Sequence, residues 1–272
     1  FLSTSIPFSY VTARVQLSRF DYMNIVHGFG RDIIHSGYNE TISAGLDTVL
    51  WRHKSGQSIM KHNFTVKKID AFIEDVKSDV GSRRLVIIDH SLHHVFRGGF
   101  GTLSCGLQYF RGLSILGATS TDQSVGLSEP SAQFEKYVGT VDYRTRWYYK
   151  SVPLSISSTW RGQYATHTLF SSEQLSLGGY GTIRGFKSAY FQSDLGVYSR
   201  NELSIPFAQS VDFLLLKELS GLSLYSFVDF GVGRAKQGIA FNQGKGQAYM
   251  VGAGGGFRYR VGRLDIDVCW AR

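Results

Sequence analysis

Hydrophobic and polar residues alternate one for one along much of the chain. In the stretch VTARVQLS at 11–18, apolar residues stand at every second position and polar residues fill the positions between them. A β-strand turns successive side chains to opposite faces, so this period of two predicts strands with one apolar and one polar face. The alternation returns at 102–109, 141–147 and 264–270. The pattern predicts an all-β protein in which long helices are scarce.

The alternation divides the chain into about eleven predicted strands, many of them about ten residues long or longer. Strands of globular sheets have mostly about five or six residues, whereas a tilted strand that crosses a bilayer needs about nine to eleven. The strand lengths therefore favour a transmembrane antiparallel β-barrel. The predicted strands occupy 8–20, 40–52, 57–68, 83–96, 99–111, 135–150, 154–166, 194–206, 222–234, 248–260 and 264–271.

The predicted connections alternate between short turns and long loops. Turns such as HKSG at 53–56 and VGR at 261–263 alternate with loops such as 21–39 and 167–193. Outer-membrane barrels have short periplasmic turns and longer extracellular loops, so the short turns are assigned to the periplasm. The segment 207–221 is an exception, because it is a long connection at the periplasmic end, where short turns are predicted.

The polar face carries full charges in the middle of several predicted strands. A soluble β-sandwich also has one buried and one polar face, so a soluble all-β protein is the alternative to a barrel with a wet lumen. Strands of membrane length with an apolar face rich in Tyr, Trp and Leu favour the barrel. In a barrel, four arginines of the polar face are predicted to line the channel: Arg14, Arg144, Arg146 and Arg161.

The composition narrows the classes of function. The chain has 31 glycines, 19 phenylalanines and 15 tyrosines but 4 prolines, as expected for strands joined by tight turns. Its net charge of +8 comes from basic residues spread singly, which argues against nucleic-acid binding. The start FLSTSIPFSY lacks the features of a signal peptide, which predicts a cytosolic protein or a chain without its true N-terminus. Cys105 and Cys269 are expected to be unpaired.

Three sequence patterns suggest a metal site, a hydrolase triad and a phosphate-binding loop, but the predicted strands argue against each of them. His93 and His94 point to opposite faces, and His90 lies about 13 Å from His94 at about 3.3 Å per residue, too far for one metal ion. Asp89, His90 and Ser91 diverge in the same way, which removes a hydrolase triad. GAGGGF at 252–257 is not followed by a helix, as a phosphate loop would be. No metal and no cofactor is expected.

A lone arginine in the long loop 167–193 has an evident partner. The loop contains SLGGYGTIRGF, whose four glycines let the backbone fold tightly and present Arg184. About forty residues later the strand 222–234 contains FVDFG, in which alternation directs Phe227 and Asp229 into the lumen. We therefore predict that Arg184 folds into the barrel and pairs with Asp229.

These residues carry a resemblance to a known family. The loop IRGF followed by a strand with F-x-D-x-G resembles the paired signature of the BamA-type superfamily. SLGGYGTIRGF with SDLGVYSRNEL at 193–203 resembles the TpsB transporters of two-partner secretion, and FRGLSILGA at 110–118 is similar to their sequences as well. The resemblance implies a loop motif of Ile183, Arg184, Gly185 and Phe186, with partners Phe227, Asp229 and Gly231. Inward-facing Arg200 and Glu202 are predicted as secondary contacts, with Phe186 and Phe227 packed around the arginine stem.

The resemblance also implies an architecture. Bacterial single-chain barrels have an even number of strands, and about sixteen are expected in the whole protein, with IRGF between the eleventh and the twelfth. Residues 1–272 are thus expected to form a partial barrel domain. The first strands, the last strand, two POTRA domains and an N-terminal plug helix are expected to lie outside this chain.

The function implied is export rather than catalysis. TpsB transporters of the bacterial outer membrane pass one large TpsA-type exoprotein, such as a haemolysin, an adhesin or a contact-dependent inhibition toxin, unfolded to the cell surface. A monomer in contact with outer-membrane lipid and lipopolysaccharide is expected. Two alternatives remain: a BamA-type insertase, and an outer-membrane lipase or protease, which would need Ser/His or Asp/His groups converging at one rim.

Overall fold

The protein is described by a computed structural model that covers residues 1–27, 32–120, 129–150, 152–187, 190–206, 221–236 and 246–272. Apart from a short 3-10 turn at Ser171–Glu173, its regular structure is β-strand. The strands are β1 (Leu2–Phe8), β2 (Val11–His27), β3 (Asp32–His53), β4 (Gly56–Ile73), β5 (Val76–Lys77), β6 (Arg83–Gly98), β7 (Gly101–Leu113), β8 (Glu135–Tyr149), β9 (Val152–Ala165), β10 (Leu175–Leu177), β11 (Phe191–Ser193), β12 (Leu195–Pro206), β13 (Leu222–Arg234), β14 (Gln247–Val261) and β15 (Leu264–Ala271).

The long strands form one antiparallel meander. The main sheet has the order β1-β2-β3-β4-β6-β7-β8-β9-β12-β13-β14-β15, while β5 pairs only with β4 and β10 pairs with β11 in a separate ribbon. Each long strand lies beside its neighbours in sequence, as in an up-and-down barrel. No helix of the described ranges has the length and apolar character to span a bilayer.

The largest corrections to the strand prediction concern the first three strands. An additional strand, β1, precedes the predicted first strand and pairs with β2 through the turn at Ser9 and Tyr10. Ser9 adopts a positive φ of 55° without the Gly, Asn or Asp that usually announces such a turn. The predicted loop 21–39 is also wrong at both ends, because β2 and β3 continue as a paired hairpin to His27 and Asp32. The exceptional segment 207–221 lies, except for Gly221, outside the described residues.

The two faces of the sheet differ in exposure. Register aligns Asp142, Thr159, Arg200, Asp229 and Gly252 on five neighbouring strands, and we call the face that carries this row the inner face. The opposite, outer face exposes large apolar side chains from one end of the sheet to the other. Soluble proteins rarely expose so extended an apolar face, which counts against the soluble alternative. Among these side chains are Leu46, Trp160, Tyr164, Val228, Val251 and Trp270.

The interior is built where the loop between β9 and β12 folds onto the inner face. One apolar cluster joins the end of β9 and the start of the loop to β6 and to the segment before β8. A second joins Leu175, Leu177 and Ile183 of the loop to Tyr198 of β12. The loop therefore packs against the inner face of the sheet, and its apolar residues are buried. The first cluster consists of Leu85, Ile87, Ala132, Phe134, Ala165 and Leu169.

Candidate functional site

Glycines shape the loop segment that carries Arg184. Gly178, Gly179 and Gly185 have φ values of 100°, 87° and 101°, which side chains with a Cβ rarely adopt. An isolated bridge between Gly179 and Ile183 closes the turn, and the Thr182 hydroxyl donates to the Gly178 carbonyl at 2.7 Å. The turn presents the next residue, Arg184, to the inner face of β12 and β13.

Arg184 is bound to Asp229 by three hydrogen bonds. Its Nε donates to Oδ2 at 2.7 Å, its Nη2 to Oδ1 at 2.8 Å, and its backbone N–H to Oδ2 at 3.1 Å. Arg184 is 3% exposed and Asp229 is 0% exposed. The bidentate contact fixes the guanidinium plane, and the backbone bond fixes the loop itself.

Two further groups surround the guanidinium. Arg184 Nη1 donates to Glu202 Oε2 at 2.8 Å, and the Phe227 ring centroid lies 3.7 Å from the guanidinium carbon. Burial alone would lower the pKa of Arg184, but the hydrogen bonds to Asp229 and Glu202 outweigh burial and raise that pKa above its ordinary value. The arginine is therefore held in its charged form.

Close backbone approach explains two glycines of the surrounding strands. A Cβ at Gly252 would lie 1.9 Å from the carbonyl oxygen of Arg184. A Cβ at Gly231 would lie 2.5 Å from Cδ1 of Ile183. Such glycines allow another backbone to pass against a strand. The first glycine of GAGGGF thus lets the loop backbone pack against β14.

The structure places the other predicted loop contacts as follows. Arg200 Nη1 donates to the Gly181 carbonyl at 3.4 Å, and Glu202 contacts Arg184 directly. Phe186, which was expected to pack around the arginine stem, instead packs on the apolar cluster that contains Ile183. The ring that covers the arginine is Phe227 alone among the described aromatic residues.

A network that the sequence did not reveal extends this site to β15. Arg258 donates to both oxygens of Glu202, at 2.5 and 3.0 Å, and to Asp267 Oδ2 at 3.0 Å. Asp267 also accepts hydrogen bonds from Tyr225 at 2.6 Å and from Tyr180 of the loop at 3.0 Å. Alternation in LDIDVCW put Asp267 on the polar face, but its loop partner could not be identified from sequence.

A second buried ion cluster holds the start of the loop. Glu173, 5% exposed, accepts from Lys67 of β4 at 2.5 Å and from Lys136 of β8 at 2.8 Å. Burial alone would raise the pKa of Glu173, but the attraction of Lys136 and Lys67 and their hydrogen bonds hold it below its ordinary value. The carboxylate therefore stays charged at neutral pH. No sequence pattern pointed to these three residues.

The four predicted channel arginines are not gathered in one place. Arg14 lies on β2, where it contacts Asp47 at 2.8 Å. Arg144 and Arg146 on β8 and Arg161 on β9 are exposed on the inner face, several strands away. Arg144 lines a cavity together with Arg184.

The patterns that were set aside as metal sites can also be placed. His62 Nδ1 and His90 Nδ1 lie 2.6 Å apart across β4 and β6. No group of three or more His, Cys, Asp or Glu side chains within the described ranges is arranged to hold a metal ion. Cys105 and Cys269 are both free thiols.

Comparison with known proteins gives consistent matches. The family model described as haemolysin secretion/activation protein ShlB/FhaC/HecB matches residues 1–259. Outer membrane transporter CdiB of Escherichia coli is 30% identical over 206 residues, which is 74% of this chain and 33% of that protein. Hemolysin transporter protein HpmB of Proteus mirabilis is 26% identical over 237 residues, 85% of this chain and 40% of that protein. The chain thus spans well under half the length of these relatives.

Solved structures show the same fold. CdiB from Escherichia coli matches with a TM-score of 0.80 at 22% identity, over 97% of this chain and 46% of that one. BamA from Haemophilus ducreyi matches with a TM-score of 0.61 at 14% identity, over 99% of this chain and 57% of that one. These likenesses confirm the predicted fold class, an all-β transmembrane antiparallel barrel of which part is present.

Proposed function

The chain belongs to the ShlB/FhaC/HecB family of haemolysin secretion/activation proteins, and we propose that it is the barrel part of a TpsB-type outer-membrane transporter. It lies in the bacterial outer membrane, as does its relative CdiB, which is named an outer membrane transporter. Its cargo is one large TpsA-type exoprotein that crosses the barrel unfolded. The names of the relatives, transporters of the contact-dependent inhibition and hemolysin systems, support this class of cargo.

The function depends on the loop between β9 and β12, which occupies the inner face where cargo would pass. The contact of Arg184 with Asp229 and Glu202 is the observation that carries this proposal, because it is buried, bidentate and also includes the loop backbone. Hydrogen bonds to charged groups contribute about 1.5–3 kcal/mol each. The contact therefore strongly stabilises one position of the loop. In the proposed mechanism, the loop must both adopt this position and move out of it during export.

Replacement of Arg184 by alanine in the full-length protein tests the role of the contact. Removing one partner of a buried ion pair costs about 3–5 kcal/mol, because the other charge stays buried without compensation. We expect secretion of the partner exoprotein, measured per folded barrel in the outer membrane, to fall at least about tenfold. Arg260→Ala is the matched control, since Arg260 pairs with Asp265 but its side chain is 72% exposed. Normal secretion by a normally abundant Arg184→Ala protein would remove the loop from the mechanism.

Exchange of the two charges separates direct pairing from a general need for charge. The double variant Arg184→Asp with Asp229→Arg is expected to recover part of the secretion that either single variant loses. Recovery is expected to be incomplete, because Glu202 would then face an aspartate at position 184. If the double variant secretes no better than the singles, direct pairing is not what the loop requires.

Membership of a transporter family favours export over the other two interpretations. The family is one of transporters and not of enzymes. The likeness to BamA supports an insertase as the second candidate, with a lower TM-score than the likeness to CdiB. Complementation of a strain depleted of its own insertase tests it, and restored barrel assembly would favour insertion. We further propose that the barrel works as a monomer, with its exposed outer face in lipid and lipopolysaccharide.

A further inference from the structure

A cavity of about 230 Å³ opens on the inner face beside the Arg184 contact. Its walls come from β8, β9 and β12 and from the loop. Glu202, the carboxylate in the wall, already accepts from Arg184 and Arg258, so the remaining guanidinium groups give the cavity an excess of positive charge. The lining residues are Arg144, Ser157, Thr159, Arg184, Arg200 and Glu202.

One wall of the cavity contains a buried donor without an acceptor. Arg200 Nε is buried and finds no acceptor within the described part of the chain. Its Nη1 has only the 3.4 Å contact with the Gly181 carbonyl. Leaving a buried donor unsatisfied costs about 1–3 kcal/mol, and native proteins rarely do so without a reason. Arg200 therefore has a buried donor available for an acceptor that the described residues do not supply.

Arg144 provides a second guanidinium across the intervening strand. Ser157 of β9 lies between Arg144 and Glu202 in register, and Thr159 lies between Asp142 and Arg200. Among the described residues, Arg144 forms no ion pair. The Asp142 carboxylate accepts from the Thr159 hydroxyl at 2.7 Å and keeps its negative charge, which the two guanidinium groups of Arg144 and Arg200 together exceed. Arg144 and Arg200 thus lie on the two strands that flank β9, and Ser157 of β9 lines the same cavity.

We propose that this cavity binds a carboxylate side chain of a polypeptide that passes along the inner face in an extended conformation. Guanidinium groups match the planar, two-oxygen geometry of a carboxylate, and a serine hydroxyl adds a donor. The ligand class is an aspartate or glutamate of the moving chain. The inference rests on the proposed function, because it takes the cargo to be a polypeptide. Arg184 lines the same cavity, so the bound carboxylate lies beside the contact that holds the loop.

Binding is tested with the full-length protein in lipid nanodiscs at about 0.15 M ionic strength, where charges more than about 8 Å apart are largely screened. The probes are a peptide of alternating serine and glutamate with a neutral fluorophore, and the same peptide with glutamine in place of glutamate. We expect the glutamate peptide to bind at least about tenfold more tightly by fluorescence anisotropy, as charge-assisted hydrogen bonds require. Equal affinity for the two peptides would overturn the proposal.

Variants locate the binding site. Arg144→Gln and Arg200→Gln are each expected to weaken binding of the glutamate peptide about tenfold. Arg97→Gln is the matched control, because it removes an inner-face arginine of β6. Arg97 lies opposite Thr102 of β7, which in turn lies opposite Arg144, so Arg97 is two strands from Arg144. Binding by this variant should stay within about twofold of the unmodified protein. Heat-modifiable migration on gels verifies the barrel. If a glutamine variant does not fold, Arg144→Lys and Arg200→Lys replace it, since lysine keeps the positive charge but lacks the planar guanidinium group. These variants should bind the glutamate peptide with intermediate affinity.

Two outcomes decide the source of the carboxylate. Free acetate is expected to compete with the glutamate peptide only weakly, because the peptide presents several carboxylates along one extended chain. If acetate binds while the peptide does not, the cavity is a site for free anions and the proposal is wrong. Unchanged peptide affinity in both folded arginine variants would also overturn it. Loss of partner secretion does not enter this test, so a protein that binds the peptide without exporting a partner would contradict the proposed function alone.

Discussion

The arginine anchor (Arg184 with Glu202 and Asp229) and the glutamate anchor (Glu173 with Lys67 and Lys136) hold the same loop by opposite arrangements of charge. In the first, one cation of the loop lies between two carboxylates of the sheet. In the second, one carboxylate of the loop lies between two ammonium groups. Both loop residues are almost fully buried, so each anchor depends on its partners being present.

The anchors differ in direction and in reach. Arginine donates through a rigid planar fork, whereas lysine is a compact charge on a flexible stem. The arginine anchor therefore fixes the orientation of the loop at two adjacent strands, β12 and β13. The glutamate anchor reaches Lys67, 106 residues away in sequence, and so ties the loop to a distant part of the sheet. The arginine anchor sets the position of the loop, and the glutamate anchor connects β4 with β8, which are separated in the sheet by β6 and β7.

Gly252→Ala should break the arginine anchor most severely. The new Cβ would lie 1.9 Å from the Arg184 carbonyl oxygen, a backbone atom that cannot move aside without lifting the loop. The Arg184 amide would then lose its bond to Asp229. We expect hydrogen exchange of residues 182–186 to accelerate by about two orders of magnitude, as a loss of about 3 kcal/mol implies. Exchange at 171–177 should change little, because the glutamate anchor is intact.

Gly139→Ala is the control for this variant. Gly139 is also a strand glycine, on β8, and a Cβ there meets nothing within 4 Å. Its exchange pattern should match that of the unmodified protein. If Gly252→Ala also leaves residues 182–186 protected, the backbone contact does not seat the loop. If it releases 171–177 as strongly, the two anchors act as one unit.

Glu173→Gln should weaken the glutamate anchor by a smaller amount. The amide keeps an acceptor for one lysine but loses the charge, while Lys136 and Gln163 still donate to the backbone carbonyl of residue 173. Loss of about 1.5 kcal/mol predicts about tenfold faster exchange at 171–177 with little change at 182–186. Glu129→Gln is the control, because Glu129 is exposed and lies outside the strands. An unchanged rate at 171–177 would mean that apolar burial alone holds the start of the loop.

The two anchors were not equally predictable from sequence. Arg184 and Asp229 could be paired because a glycine-rich motif marked the arginine and strict alternation showed which way the carboxylate points. Glu173 carries no such mark, since its partners lie on β4 and β8 and only the path of the folded loop brings them together. Contacts between neighbouring strands follow from period and order, whereas contacts made across the sheet depend on the loop conformation.

The fold shows the same division. Most strands were predicted within a few residues because alternation is a local signal, and their antiparallel order followed from their succession. β1 was missed because the turn has a positive φ at Ser9 without the Gly, Asn or Asp that usually marks such a position. The extension of β2 and β3 was also missed, although register pairs their residues from Asp21 with Tyr38 as far as His27 with Asp32.

Tyr180→Phe should have the smallest effect, and it tests whether the loop has a third attachment, at β15. The Tyr180 hydroxyl donates to Asp267 at 3.0 Å, but Tyr180 is 61% exposed and Asp267 keeps its bonds from Tyr225 and Arg258. A single exposed bond is worth about 0.5–1 kcal/mol, which predicts two- to fivefold faster exchange at 178–182. Tyr249→Phe, on the outer face of β14 and 77% exposed, should leave these rates unchanged. Equal exchange rates at 178–182 in the two variants would mean that the arginine anchor alone positions this part of the loop. Faster exchange in Tyr180→Phe alone would mean that the loop is also attached through Asp267 to β15, the last strand of the sheet.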